Sequence, residues 1–493
     1  MNIATLSPAV LPSHRDLFYG GGWHAPVAGQ YAESRNPATG ETIGPASLAD
    51  ADDIDAAVRA AHGAFKTWRK ILPAARGAML REAAGILRRE AESLAMLDAM
   101  DTGNPVTMLA GDAHFAAAGL DYFSGLAGEI KGETIPMGDG NLNYTIREPL
   151  GVVARIVAYN HPLMFAAMRI AAPLAAGNTV VVKAPDQAPL SLLRLAELIG
   201  EIFPPGVVNF VTGGQTCGKA LVEHPLVRKV TLIGGVPTGK AVMRGAADTL
   251  KPVLLELGGK NALIAYPDAD IEALINGVVQ GMNFTWAGQS CGSTSRVFLH
   301  ASIHDRVLEA VARLVPQRHK PGKPTDPATT MGSLISARQL EKVEGFVASA
   351  LADGARLICG GRRPADPELA RGFFYEATVF ADVTPEMRLA REEVFGPIMS
   401  VFRWEDEDAL FDQVNALDFG LTGSIWTRDL DIAHRAARRL ESGYIWINNT
   451  SQHFIGAPFG GVKQSGIGRE ECFEELLEFT QVKNVNLRLR SDR

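Results

Sequence analysis

The sequence has few cysteines, no long apolar run and no excess of either charge. Its four cysteines, Cys217, Cys291, Cys359 and Cys472, are scattered over 493 residues and form no C-x-x-C pair. That spacing argues against a disulfide framework and against a zinc knuckle. The longest apolar stretch, from Gly151 to Gly177, is interrupted by Arg155, Asn160, His161 and Arg169. It falls short of the roughly 18 apolar residues that a membrane span requires. With 48 basic against 55 acidic residues, the net charge of −7 is small for the length and leaves no basic footprint for nucleic acid. The histidines show no metal-ligand spacing, so no metal is expected. The opening segment MNIATLSPAVLPSHRD has neither a basic n-region nor a long apolar h-region. A soluble, cytoplasmic protein is expected, with no membrane or nucleic-acid partner.

What is present is an ordinary globular composition on a chain too long for one hydrophobic core, since single cores stop growing at roughly 250–300 residues. The residues Ile54, Ala57, Val58, Ala61, Phe65 and Trp68 repeat at helical spacing. A second helical pattern runs from Ala74 to about Met100 and stops at the punctuation TGNP. From Gly151 the pattern changes to short β-branched runs, GVVARIVAY, NTVVVKA, GVVNFVTG, KVTLIGG and PVLLEL, alternating with amphipathic helical stretches. Such alternation implies βαβ units on a parallel sheet. It restarts with NALIAY, SRVFLH, GPIMSVFRW, LTGSIWT and GYIWINN, so a second α/β domain is expected after a boundary near ELGGKN. NLNYTIREP and TQVKNVNLRLR, far apart in the chain, read as isolated strands that need a partner edge, which a neighbouring subunit could supply.

Chemistry concentrates at strand ends. In FTWAGQSCGSTSR, Cys291 sits among small residues that leave room for a flat carbonyl, and backbone N–H groups there could lower a thiol pKa from about 8.5. A lone cysteine is more often structural. LLELGGK ends a strand with Glu256, whose plain alternative is an ion pair with Lys260 or Lys251. VAYNHP presents Asn160, an oxyanion donor or an Asx-turn residue. VVVKAPDQAP carries Lys183 and Asp186, and LIGGVPTG places Gly234 and Gly235 before a helix, a setting suited to a pyrophosphate. Four such strand ends together describe a cofactor crevice.

These motifs, with EEVFGPI and PFGGVKQSGIGRE following in order, make the chain similar to the aldehyde dehydrogenase superfamily from about Asn36 onward. The resemblance implies an α/β protein of three parts. A Rossmann-like parallel-sheet cofactor domain would span residues 1–128 and 150–258, and an α/β catalytic domain residues 259–461. A small β oligomerisation element would span 129–149 and 480–493. It implies NAD, or alternatively NADP, as cofactor, a small-molecule aldehyde as substrate, and a homodimer or homotetramer. Cys291 would be the nucleophile and Glu256 the general base, with Asn160 and the Cys291 N–H forming an oxyanion hole. Lys183 and Asp186 would hold the adenine ribose and Glu393 the nicotinamide ribose. Phe395 and Tyr159 would pack beside the cofactor, and Gly234 and Gly235 would admit the pyrophosphate.

The chain departs from the family in having Tyr159 where Trp is frequent, His161 where Phe is frequent, and LIGGV in place of FTGST. His161 is either a polar contact for the aldehyde's tail or a satisfied surface imidazole, the plainer of the two. NTSQHFIG is expected to border the substrate channel, lined by His161, Phe165, Met168 and Phe454. An apolar channel with few charges would suit an aliphatic or aromatic aldehyde. Two rival functions are acyl transfer to coenzyme A, which the presence of Glu256 opposes, and a catalytically silent scaffold, which Cys291 and Glu256 together oppose.

Overall fold

The computed structural model describes residues 11–489, so the outermost residues of the expected terminal ranges lie outside it. Asp50 caps the first long helix, Ala51–Trp68, through a reciprocal arrangement with Asp53, and the helix buries Ile54, Ala57, Val58 and Ala61 as their spacing requires. The expected single helix from Ala74 to Met100 is two, Pro73–Arg89 and Ala91–Thr102. The chain bends at Glu90 (φ −96°, ψ 5°), outside helical geometry although its N–H still reaches the Ile86 carbonyl. The second helix ends at Gly103 with φ 80°, a left-handed stop that glycine adopts without steric cost.

Five parallel strands follow in the spatial order Val208–Val211, Thr179–Lys183, Val152–Ile156, Val227–Ile233 and Val253–Glu256. In chain order this is 3-2-1-4-5, so the sheet reverses direction between Val152–Ile156 and Val227–Ile233. Ligands of open α/β sheets sit beyond the carboxyl ends at such a reversal. Short antiparallel strands close both margins. One of them, Gly466–Ile467, pairs with Leu255 and Glu256 and so brings the segment Gly468–Cys472 beside them.

The second sheet runs Arg356–Cys359, Thr378–Ala381, Ile398–Trp404, Arg296–His300, Ala262–Ala265, Thr422–Trp426 and Tyr444–Ile447. All its neighbours are parallel except the first pair. Its core includes Leu263, Val297, Phe298, Phe380 and Val401, all nearly inaccessible. The strands at Arg356 and Thr378 did not stand out in the sequence. Among the described residues no helix is long and apolar enough to cross a membrane.

The two isolated strand sequences turn out to be each other's partner. Asn141–Pro149 pairs antiparallel with Thr480–Arg488 over nine positions, from Pro149 opposite Thr480 to Asn141 opposite Arg488, and Thr134–Ile135 adds a third strand. Neither strand therefore needs a neighbouring subunit for its first partner. Thr480–Arg488 keeps one open edge, with Val482 and Leu487 exposed.

Candidate active site

The loops beyond the first sheet's carboxyl ends carry most of the candidate residues, and the hydrogen bonds between them fix their order. Lys183 ends its strand, accepts at its carbonyl from the Val157 N–H (3.3 Å), and pairs through Nζ with Asp186. Gly234 follows its strand and donates to the Glu256 carbonyl (3.0 Å). Gly235 precedes the helix Val236–Ala247, whose N-terminus no side chain caps. Asn160 is buried in the loop after Val152–Ile156, and its carbonyl accepts from Asn104 Nδ2 (2.9 Å). Its own side-chain amide makes no hydrogen bond among the described residues.

Cys291 lies across the crevice on a loop tied down by Asn261. The Asn261 amide donates to the carbonyls of Cys291 (2.7 Å) and Ser293 (3.0 Å), while its Oδ1 accepts from the Thr422 N–H (3.1 Å). Burial, then the nearby carboxylates of Glu256 and Glu393, push the Cys291 thiol up to about 12; the N–H groups of Cys291 and Gly292 act in the opposite direction. Glu393 accepts from the Gly259 N–H (3.0 Å), and a side chain at Gly258 would collide with its carboxyl group. Phe395 stands edge-on to Tyr159, ring centroids 5.9 Å apart. Burial, with Glu393 second, raises the Tyr159 phenol well above its ordinary value, so it stays protonated.

Glu256 is buried, and neither carboxylate oxygen has a hydrogen-bond partner among the described residues. The ion pairs considered from sequence are absent: Lys251 donates instead to the Val222 and His224 carbonyls (2.8 and 2.7 Å), and the Lys260 Nζ is itself unpartnered. The chain makes room for Glu256 at Gly460, where φ is +152° and an added Cβ would lie 2.7 Å from Oε1. Behind it is a buried ion cluster that sequence reasoning missed. Arg155 pairs with Glu470 (3.3 Å) and Glu475 (3.0 Å), and Arg169 pairs with Glu470 (3.1 Å) and Glu471 (3.2 Å). Burial first, and the Glu470 charge second, hold the Glu256 carboxyl well above the usual carboxylate range, with Arg169 opposing.

A cavity of about 790 Å³ opens at Cys291. His161 and Phe165 line it, as expected, and so do Ser451, Gln452 and His453 of the NTSQHFIG loop. Met168 does not: it is 1 % exposed and its side chain packs against Gly119 of the helix Val106–Leu126. Phe454 is 52 % exposed and does not line the cavity that its neighbours line. Nor is the channel poor in charge, since Asp112, Arg169, Arg318 and Glu471 stand among its aromatic walls. His161 is no surface imidazole, because its Nδ1 lies 2.8 Å from Asp112 Oδ2 and its side chain is 13 % exposed.

The sequence pattern described as the Aldehyde dehydrogenase family matches residues 23–485. This chain belongs to that family. It is an oxidoreductase, and its fold is the family's fold. It is 54 % identical over 485 residues to the aldehyde dehydrogenase tropH of Talaromyces stipitatus, covering 97 % of this chain and 94 % of that protein. A betaine aldehyde dehydrogenase of Mesorhizobium japonicum is 44 % identical over 453 residues, 91 % of this chain and 92 % of the relative. The NAD+ complex structure of an aldehyde dehydrogenase from Bacillus cereus superposes with a TM-score of 0.95 at 37 % identity, covering 98 % and 99 % of the two chains.

Proposed function

We propose that the enzyme oxidises an aldehyde to its carboxylic acid with NAD, or alternatively NADP, through a thioester on Cys291. What supports this most is one juxtaposition: a cysteine on the cavity wall beside a buried carboxylate, Glu256, that has no hydrogen-bond partner among the described residues. A nucleophile and an unoccupied base are the two groups that acylation followed by hydrolysis demands.

The crevice residues fit the cofactor. Glu393 and Tyr159 lie within electrostatic reach of each other, Phe395 closes one side, and the uncapped helix behind Gly234 and Gly235 offers N–H groups to a pyrophosphate. Asp186, steadied by Lys183, would take the adenine ribose. Bound there, the nicotinamide supplies the hydride acceptor.

The protein's own part begins with the Cys291 sulfur adding to the aldehyde carbon, its proton passing to solvent water in the cavity. Burial and the carboxylates of Glu256 and Glu393 disfavour charge on the thiol, and the N–H groups of Cys291 and Gly292 act against them. The new oxyanion accepts from the free Asn160 amide and the Cys291 N–H. After hydride departure the carbonyl re-forms as a thioester. Glu256 then takes a proton from water, the resulting hydroxide attacks the acyl carbon, and the acid leaves as the sulfur recovers its proton. A carboxylate raised by burial and by Glu470 is a stronger base once ionised than an ordinary one.

The first sheet with its helices serves as the cofactor-binding unit and the second as the catalytic unit. The three-stranded sheet, through the open edge of Thr480–Arg488, is the assembly element of a dimer or tetramer. The overall reading is tested with a panel of aldehydes and saturating NAD, following NADH and the free acid. NADH with equimolar acid is expected. Dependence on added coenzyme A would replace hydrolysis by acyl transfer, and no NADH with any aldehyde would point to a silent scaffold.

A further inference from the structure

His161 and Asp112 form a polar pair in the cavity wall for which acylation and hydrolysis have no use. Asp112 comes from the helix Val106–Leu126, and His161 stands just before the helix Pro162–Met168. Their Nδ1 to Oδ2 distance is 2.8 Å, and their side chains are 13 % and 10 % exposed. Both line the cavity that opens at Cys291. With Asp112 as the acceptor the hydrogen sits on Nδ1, and in the neutral ring that tautomer leaves a lone pair on Nε2. Nε2 makes no hydrogen bond among the described residues. The ring is also held in place, its edge against Trp286 (centroids 4.5 Å apart, planes at 61°) and Phe165 (5.6 Å, 71°). A fixed acceptor in an aromatic wall is a costly feature unless a ligand uses it, because a buried polar pair loses its hydration.

We propose that His161, oriented by Asp112, is a specificity-determining residue that accepts a hydrogen bond from a hydroxyl group on an aromatic aldehyde. The inference rests on the reading that this cavity holds the aldehyde. The aromatic part follows from the walls, where Phe115, Phe165, Trp286 and Phe459 leave room for a flat ring, in a volume suited to a small organic ligand. The hydroxyl follows from the charges. Arg169 is neutralised by Glu470 and Glu471, whereas Arg318 keeps its charge while donating to the Asn276 amide oxygen at an exposed position. Burial lowers His319, which favours its neutral form. An anionic substituent placed at His161 would face the Asp112 carboxylate, whereas an uncharged O–H donor meets a lone pair on Nε2. Asp112 is a positioning residue, since it acts through the imidazole.

The test compares benzaldehyde with its 2-, 3- and 4-hydroxy and corresponding methoxy derivatives as substrates, for the wild type, His161→Phe and Asp112→Asn. Dividing each enzyme's kcat/KM by the value for benzaldehyde, and then by the same ratio in His161→Phe, cancels the intrinsic reactivity of each aldehyde. At least one hydroxybenzaldehyde should then show about a ten- to hundredfold preference in the wild type, carried mainly by KM. Its methoxy counterpart, which cannot donate, should show none. Asp112→Asn should fall between the two, since an amide no longer dictates which ring nitrogen carries the hydrogen. NAD binding followed by fluorescence checks that both variants are folded. Equal ratios in the wild type and His161→Phe, or a methoxy group favoured as strongly as a hydroxyl, overturn the proposal while leaving aldehyde oxidation intact. A wild type that oxidises none of these nor any other aldehyde removes the reading beneath it and the proposal together.

Discussion

Asn261 holds the loop of Cys291 through its backbone without touching the sulfur, and its removal has a calculable cost. Its side chain makes three hydrogen bonds, to the carbonyls of Cys291 and Ser293 and from the Thr422 N–H, at 2.7, 3.0 and 3.1 Å, in a buried position. Each is worth about 1 kcal/mol net, and a buried group left unpaired adds about 1–3 kcal/mol, so Asn261→Ala should cost on the order of 4–6 kcal/mol if the loop stays in place. If the loop instead shifts to find new partners, stability is recovered and activity is not. A displacement of about 1 Å at a nucleophile lowers the rate on the order of a hundredfold. Asn261→Asp separates the bonds: it keeps the acceptor for Thr422 but turns a carboxylate toward two carbonyl oxygens, so it should do no better than Ala. The assays are kcat/KM by NADH appearance and the thermal unfolding midpoint, on each variant. Either variant retaining kcat/KM within about twofold, with an unchanged midpoint, would refute the positioning role.

Glu256 has an ordinary value of 4.5 raised by burial and by Glu470. Its base form therefore appears only as pH rises through a higher value, and kcat should climb along an acid limb above pH 4.5. Glu470→Gln removes a repelling charge and frees Arg169 to attract Glu256, so the limb should move to lower pH; a limb that stays put would dissociate Glu470 from the base. Asp186 should disfavour the 2′-phosphate of NADP, giving NAD the higher kcat/KM, and a better value with NADP would end that assignment. Deleting the chain from Val482 onward strips most of the pairing from Asn141–Pro149. The particle mass by light scattering should then fall, and an unchanged mass would separate this sheet from assembly.

The parts of the fold governed by local pattern were legible in the sequence: the five strands of the first sheet, the helix stop at Gly103, and the strand-end positions of Lys183, Gly234 and Glu256. What escaped depends on contacts between distant segments. Arg155 and Arg169 registered only as interruptions of an apolar stretch, because their partners Glu470, Glu471 and Glu475 lie some three hundred residues further on. Glu470 stood inside the motif PFGGVKQSGIGRE, yet only the pairing of Gly466–Ile467 with Val253–Glu256 brings it beside Glu256. His161, Phe165 and Met168 are all expected from the sequence to line the channel. One turn further along, however, Met168 meets Gly119 on another helix, a packing detail that periodicity does not encode. Asp112 gave no sign of itself in a helix rich in alanine and glycine.

A single-turnover experiment on Glu256→Gln asks whether Glu256 is the base that releases the acid from Cys291. The amide keeps the size and shape of the side chain but cannot take a proton from water, and such a base contributes typically about 10²–10⁴-fold. With saturating NAD and a good aldehyde, the variant should produce up to one NADH per active site and stall. Intact mass should then show Cys291 heavier by the acyl fragment, and hydroxylamine should release it. Steady turnover near the wild-type rate, with no acyl adduct on Cys291, would contradict the account.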